Sequence, residues 1–232
     1  MKILIADKFP GDRMEQLKEL GFEVDYDATL TDDTLPGRIA GFDALVVRST
    51  KVTRPVLEAA DQLKMVIRAG AGTNTIDKEC ASERKVHVCN TPGKNSVAVA
   101  ELAIGLMLSL DRRIPDNVAQ LRQGEWNKNE YSKADGIKGK TLGLVGIGAI
   151  GREVAKRAQA FDMTVIASDP FVSEADGLAM GVEMVSLENL QKRADVISLH
   201  APAIEETANM VNGEFLARLK EGTMLINCAR AG

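Results

Sequence analysis

Cationic excess is missing from this chain: 29 Lys and Arg stand against 33 Asp and Glu, for a formal net charge of −4. Nothing therefore drives a general attraction to nucleic acid or to an anionic membrane, and any cationic cluster must be local. Long apolar runs are missing too. No stretch approaches membrane-spanning length, and Met1-Lys-Ile-Leu-Ile-Ala6 reaches Asp7 too soon for a secretory signal, so a cytoplasmic location is expected, with neither membrane nor nucleic acid as a partner. Cysteine is scarce. Cys80, Cys89 and Cys228 share no metal-ligand spacing and read as reduced, packed thiols, so no metal is expected. Histidine is scarcer still, with only His87 and His200, and no short-period repeat or low-complexity tract interrupts the chain.

What is present is alternation. Over the first ninety or so residues, short apolar runs at Ile3–Ala6, Glu23–Tyr26, Ala44–Val47, Met65–Arg68 and His87–Cys89 read as strands. Helical patterns separate them at Asp12–Leu20, stopped by Gly21, at Val56–Ala60, capped by Thr53, and at Asp77–Arg84. This is the pattern of a parallel sheet covered by helices. Ser96–Leu110 is almost continuously apolar and reads as a buried helix, followed by a polar arm that includes Asn117–Gln123 and Trp126. A second alternating segment then places strands at Leu142–Val145, Met163–Ala167, Val182–Met184, Val196–Leu199 and Met224–Asn227. Its helices fall at Ile150–Ala160, Leu187–Arg193 and Glu214–Leu219. The expected class is α/β, with two doubly wound parallel-sheet domains: a flavodoxin-like one in residues 1–95 and a Rossmann one in residues 96–232.

The most specific local signal is Thr141-Leu-Gly-Leu-Val-Gly-Ile-Gly-Ala-Ile-Gly151, which runs from an apolar strand through Gly146, Gly148 and Gly151 into a helical stretch. Such a turn lets a pyrophosphate approach the backbone at a helix N-terminus, here at Ala149 and Ile150. The next strand ends on Asp169, 18 residues past Gly151, about where a ribose-binding acid belongs. Pro170 and Phe171 supply no cation for a 2′-phosphate, so NAD is favoured over NADP.

Six ordered motifs extend that signal across the chain: Val47-Arg-Ser-Thr-Lys-Val-Thr53, Arg68-Ala-Gly-Ala-Gly-Thr73, Asn90-Thr-Pro-Gly-Lys-Asn95 with Ala100-Glu101-Leu102, the glycine turn with Asp169, Leu199-His-Ala-Pro202, and Asn227-Cys-Ala-Arg230. Together they resemble the D-isomer-specific 2-hydroxyacid dehydrogenase family, and within it the members that oxidise 3-phospho-D-glycerate. The resemblance implies that residues 1–95 are the N-terminal part of a substrate domain and residues 96–232 an NAD-binding domain. It also implies a small anionic 2-hydroxy or 2-oxo acid substrate bound between the two, hydride transfer to NAD, and a homodimer built on the cofactor domains. On the matching positions it assigns Arg230 to catalysis and Arg48, Lys51, Arg68, Gly70, Ala71 and Gly72 to substrate. To the cofactor it assigns Gly146, Gly148, Ala149, Ile150, Gly151, Asp169, His200, Ala201, Pro202, Cys228, Ala229 and Arg230.

A substrate carrying phosphate as well as carboxylate needs extra positive charge, and Arg48, Lys51 and Arg68 provide it, which ranks 3-phosphoglycerate above hydroxypyruvate or glyoxylate. The same cations weigh against the family's NAD-sensing corepressors, which would present an apolar peptide cleft in that region. Some positions depart from the family pattern: Asn74-Thr75 replaces a common Asp-Asn pair, Ala71 a common Thr, and Ala149 an Arg often found in the glycine turn. The family's base is a His paired with a Glu, both downstream of the arginine motif. With the chain ending at Gly232 they are absent, and His87 and His200 are poor substitutes. The expectation is a fragment whose cofactor domain is incomplete and which is inactive alone.

Overall fold

The structure, a computed structural model, describes residues 1–229. The chain forms two compact units, Met1–Asn95 and a second that begins at Ser96.

In the first unit the elements run β1 (Lys2–Ile5), α1 (Gly11–Glu19), β2 (Glu23–Tyr26), β3 (Ala44–Val47), α2 (Arg54–Ala59), β4 (Met65–Arg68), α3 (Lys78–Glu83) and β5 (His87–Asn90). The strands pair in parallel in the order β2-β1-β3-β4-β5, the flavodoxin-like order. Strand alternation supplies a core on each face. Leu4, Leu45 and Val47 join Val56, Leu57 and Cys80 on one side, while Ile3, Ile5, Ala44 and Val46 meet Met14 and Leu17 of α1 on the other. Two caps differ in kind. Asp77 accepts a hydrogen bond from the Cys80 N–H and caps α3, whereas Thr53 occupies the N-cap of α2 without a side-chain bond, contrary to the capping expected of it.

The second unit contains α4 (Ser96–Arg112), α5 (Ile114–Arg122), α6 (Lys128–Tyr131), β6 (Thr141–Val145), α7 (Ala149–Ala160), β7 (Thr164–Ser168), α8 (Glu174–Ala179), β8 (Glu183–Met184), α9 (Leu187–Arg193), β9 (Val196–Leu199), α10 (Gly213–Ala217) and β10 (Met224–Asn227). Its parallel sheet has the order β10-β9-β6-β7-β8, a Rossmann arrangement that reverses direction between β6 and β9. One face packs on α4 and α7 through Ala100, Ala103, Met107, Val154 and Ala158, the other on α9 and α10 through Leu190, Ala194 and Phe215. Gly143 is needed inside β6, because a Cβ there would lie 2.7 Å from the Leu190 side chain.

The reading of 96–110 as a buried helix is corrected. Only one face of α4 is buried: Ala100, Ala103, Ile104 and Met107 point inward, while Val97, Leu102, Leu106 and Leu110 stay exposed. Ile114, Val118 and Leu121 of α5 are exposed as well, and Trp126 is 76% exposed. Among the described residues no helix is long and apolar enough to cross a membrane.

Candidate functional site

The glycine turn lies between the carboxyl end of β6 and α7, at the point where the sheet order reverses. Its three glycines are held for different reasons. Gly146 has φ +89°, and a Cβ on it would lie 3.0 Å from the Ala201 nitrogen and the His200 carbonyl carbon, so it admits both the turn and the loop after β9. Gly151 faces the turn itself, where a Cβ would lie 2.5 Å from the Gly146 carbonyl oxygen. Gly148 has φ −68°, and a Cβ there would meet no atom within 4 Å. The fold does not require this glycine. It stands bare at the N-cap of α7, with no side-chain cap on the first-turn amides, which leaves open the approach that a pyrophosphate needs.

Asp169 does more than the sequence suggested. Its Oδ2 accepts from the Ile147 N–H at 2.9 Å and its Oδ1 from the Phe171 N–H at 2.9 Å, so the carboxylate ties the middle of the glycine turn to the end of β7. A carboxylate has about four acceptor positions, so room for ribose hydroxyls remains. Beyond the carboxyl ends of β6, β9 and β10 lies a pocket of about 450 Å³, lined by Val145, Ala201, Pro202, Ile204, Met210 and Ala229 among others. That volume suits part of a dinucleotide. Its lip is shaped by Thr207, whose Oγ1 accepts from the Ile204 N–H at 3.0 Å and donates to the Pro202 carbonyl. Sequence reading missed Thr207, although a threonine three residues after Ile204 is a recognisable hydroxyl-turn signal.

His200 extends β9 through its N–H to the Val145 carbonyl at 2.8 Å, and its Nε2 pairs with Ser198 Oγ at 2.9 Å. Burial pushes the imidazole down to about 4, so the ring is neutral near pH 7. Its Nδ1 is a buried atom without a hydrogen-bond partner among the described residues. The bare Gly148, the uncapped helix start, the pocket and this orphaned nitrogen all fit a dinucleotide. The Cys228 side chain packs against the core shared with α4 and α7, and burial raises its thiol. Arg230 lies outside the described residues.

In the first unit, Arg48 and Lys51 follow β3 and Arg68 ends β4. The Arg68 Nε–H donates to the Arg48 carbonyl at 3.0 Å, which draws the two arginine positions together across neighbouring strands. Among the described residues no hydrogen bond ties Lys51 to either of them. None of the three cations has an ion-pair partner among the described residues. Gly70 and Ala71 form the adjoining loop: the Gly70 carbonyl accepts from the Thr91 N–H at 3.1 Å, and the Ala71 carbonyl from Asn90 Nδ2 at 2.6 Å. Gly72 continues this loop.

Residues 104–232 match the model of the "D-isomer specific 2-hydroxyacid dehydrogenase, NAD binding domain" family. The whole chain is similar to D-3-phosphoglycerate dehydrogenase of Methanocaldococcus jannaschii, 44% identical over 234 residues, and spans 44% of that protein. Hydroxypyruvate reductase of Thermotoga maritima is 47% identical over 204 residues, covering 88% of this chain and 65% of that protein. Among solved structures, apo D-lactate dehydrogenase from Escherichia coli superposes with a TM-score of 0.85 at 31% identity, covering all of this chain and 74% of that one. The chain thus spans under half the length of the phosphoglycerate dehydrogenases that it matches. The cofactor of its second unit is NAD. The chain belongs to the D-isomer specific 2-hydroxyacid dehydrogenase family.

Proposed function

We propose that the protein carrying these residues oxidises 3-phospho-D-glycerate to 3-phosphohydroxypyruvate, the first step of L-serine biosynthesis, as a cytoplasmic homodimer. The observation that carries this reading is the set of three cations without ion-pair partners, Arg48, Lys51 and Arg68, at the carboxyl ends of β3 and β4. A substrate with phosphate and carboxylate groups uses such a set fully, whereas glyoxylate or lactate does not. Gly70, Ala71 and Gly72 offer backbone groups beside it. Arg230, on its motif, holds the substrate carboxylate and polarises the 2-oxygen.

NAD held in the second unit would supply the hydride acceptor for the 2-carbon. The amides of Ala149 and Ile150 hold its pyrophosphate, with Gly146, Gly148 and Gly151 shaping the turn. Asp169 holds the adenosine ribose, and His200, Ala201, Pro202, Cys228 and Ala229 line the remainder. His200 does not act as the base: its Nε2 is engaged by Ser198 and its backbone N–H continues the β9–β6 ladder to Val145, holding the residue at the carboxyl end of an interior strand. Proton removal falls to the family's His–Glu pair. The exposed Leu102, Leu106 and Leu110, with Ile114, Val118 and Leu121, give the second unit an apolar stripe suited to a second copy.

Hydroxypyruvate reduction is the second reading, favoured by the 47% identity to the Thermotoga enzyme. The test is NADH production from 3-phosphoglycerate against NADH consumption with hydroxypyruvate, for the 232-residue chain and for a form extended by the family's Glu and His. The extended form should prefer phosphoglycerate, and the short one should be slower by about 10²–10⁴-fold. A preference for hydroxypyruvate selects the second reading, and equal turnover of the two forms reinstates His200 as the base.

A further inference from the structure

The loop after β3 closes on an anion from the segment after β1, a contact that composition and motif do not reveal. Asp7 Oδ2 accepts three successive backbone N–H groups, from Arg48 at 2.6 Å, Ser49 at 3.0 Å and Thr50 at 3.0 Å. Consecutive amides converging on one point form an anion-binding nest, and here the nest is filled from within the chain. Partial burial alone would raise the Asp7 carboxyl, but these bonds outweigh it and hold the group below its ordinary range.

The chain of contacts continues. Arg48 donates its N–H to Asp7, and its carbonyl accepts from Arg68 Nε at 3.0 Å. Arg68 in turn lies over Gly70, where a Cβ would lie 2.3 Å from Arg68 Nη1 and 2.7 Å from its Cζ. We infer that Asp7 is the positioning residue of this substrate site: by filling the amide nest it fixes the peptide that sets where Arg48 starts and where Arg68 is anchored. The amides of 48–50 are then unavailable to a substrate anion, so recognition passes to the guanidinium groups. Asp7 touches no substrate. The inference rests on reading Arg48 and Arg68 as substrate cations.

The experiment measures 3-phosphoglycerate affinity by calorimetry on the NADH-loaded chain, alongside melting temperature. Asp7→Asn removes the charge that organises the nest and should weaken binding about tenfold. Asp7→Glu, which keeps the charge but shifts the oxygen by one methylene, should also weaken it and serves if Asp7→Asn does not fold. In a background of Arg48→Met and Arg68→Met, either change should have no further effect, whereas a purely structural role would give the same loss in both backgrounds. Undiminished affinity in the Asp7 variants, or an equal loss in the arginine-free background, overturns the positioning role while leaving the substrate reading intact. Unaltered affinity in the Arg48→Met, Arg68→Met chain, or no binding by the parent, instead sinks the substrate reading and the inference with it.

Discussion

The two units treat the carboxyl ends of their strands in opposite ways. In the first, three consecutive amides after β3 close on Asp7, leaving charged side chains to face any ligand. In the second, the amides that open α7 have no side-chain cap, and the residue before them is a glycine that the fold does not need. One unit satisfies its own backbone and leaves its cationic side chains free of it; the other leaves helix-start amides without a side-chain partner. An Asp appears in both. Asp169 takes only the Ile147 N–H of the glycine turn, so it steadies the turn without filling it.

Acid should separate the units with the largest effect. His200 is held near 4 in the fold against 6.5 when free, so above pH 6.5 both states are neutral and folding has no penalty. Between pH 6.5 and about 4 the unfolded chain takes up a proton that the folded one refuses, which removes up to about 3 kcal/mol from the second unit. Asp7, lowered from 3.8, contributes stability above that value and loses it only as pH falls further, so the first unit should weaken later. Hydrogen exchange at β9 and β3, followed from pH 7 to 4, should show β9 loosening first. His200→Asn should abolish the lead, and simultaneous loosening would break the contrast.

Glycine replacements sharpen it next. Gly151→Ala forces a Cβ to within 2.5 Å of the Gly146 carbonyl and should cost about 1–3 kcal/mol of stability, read by denaturant unfolding, together with NADH affinity. Asp169→Ala should weaken NADH by about 1.5–3 kcal/mol and shrink the preference over NADPH, as charge-assisted bonds are lost. An unchanged NADH to NADPH affinity ratio would count against its ribose role. The smallest stability effect belongs to Gly148→Ala, within about 0.5 kcal/mol, since the new methyl meets nothing. Its NADH affinity should nonetheless fall. Retained affinity would show that the bare glycine serves no ligand.

Most strands were legible because a parallel sheet buries both faces, so β3, β6 and β9 read as short apolar runs bounded by polar residues. Helix α8 escaped notice: it is six residues long, contains Gly177, and is announced only by the Ser173 cap. The outer face of α4 was misjudged because apolar composition does not say which side is covered; only the spacing of Ala100, Ala103, Ile104 and Met107 separates it from Leu102, Leu106 and Leu110. The glycine turn was legible because its chemistry is local. The Asp7 and Asp169 tethers were not, since they join residues 41–43 and 22 positions apart and depend on strands that become neighbours only in the folded sheet.

Trp126 is the chain's only tryptophan, and it stands exposed on the arm after α5, near Tyr131, whose ring lies 5.1 Å from the Arg113 guanidinium carbon. The molecule therefore contains one indole fluorophore of known address, which excitation at the red edge selects over the two tyrosines. Its emission reports the polarity around that arm and is free of any second indole signal. Were the arm and the α4–α5 stripe covered by another copy, emission would move to the blue with rising concentration and return on dilution, and iodide would quench the dilute sample more strongly. Assembly can thus be followed without a label, in the same cuvette where NADH fluorescence follows cofactor binding.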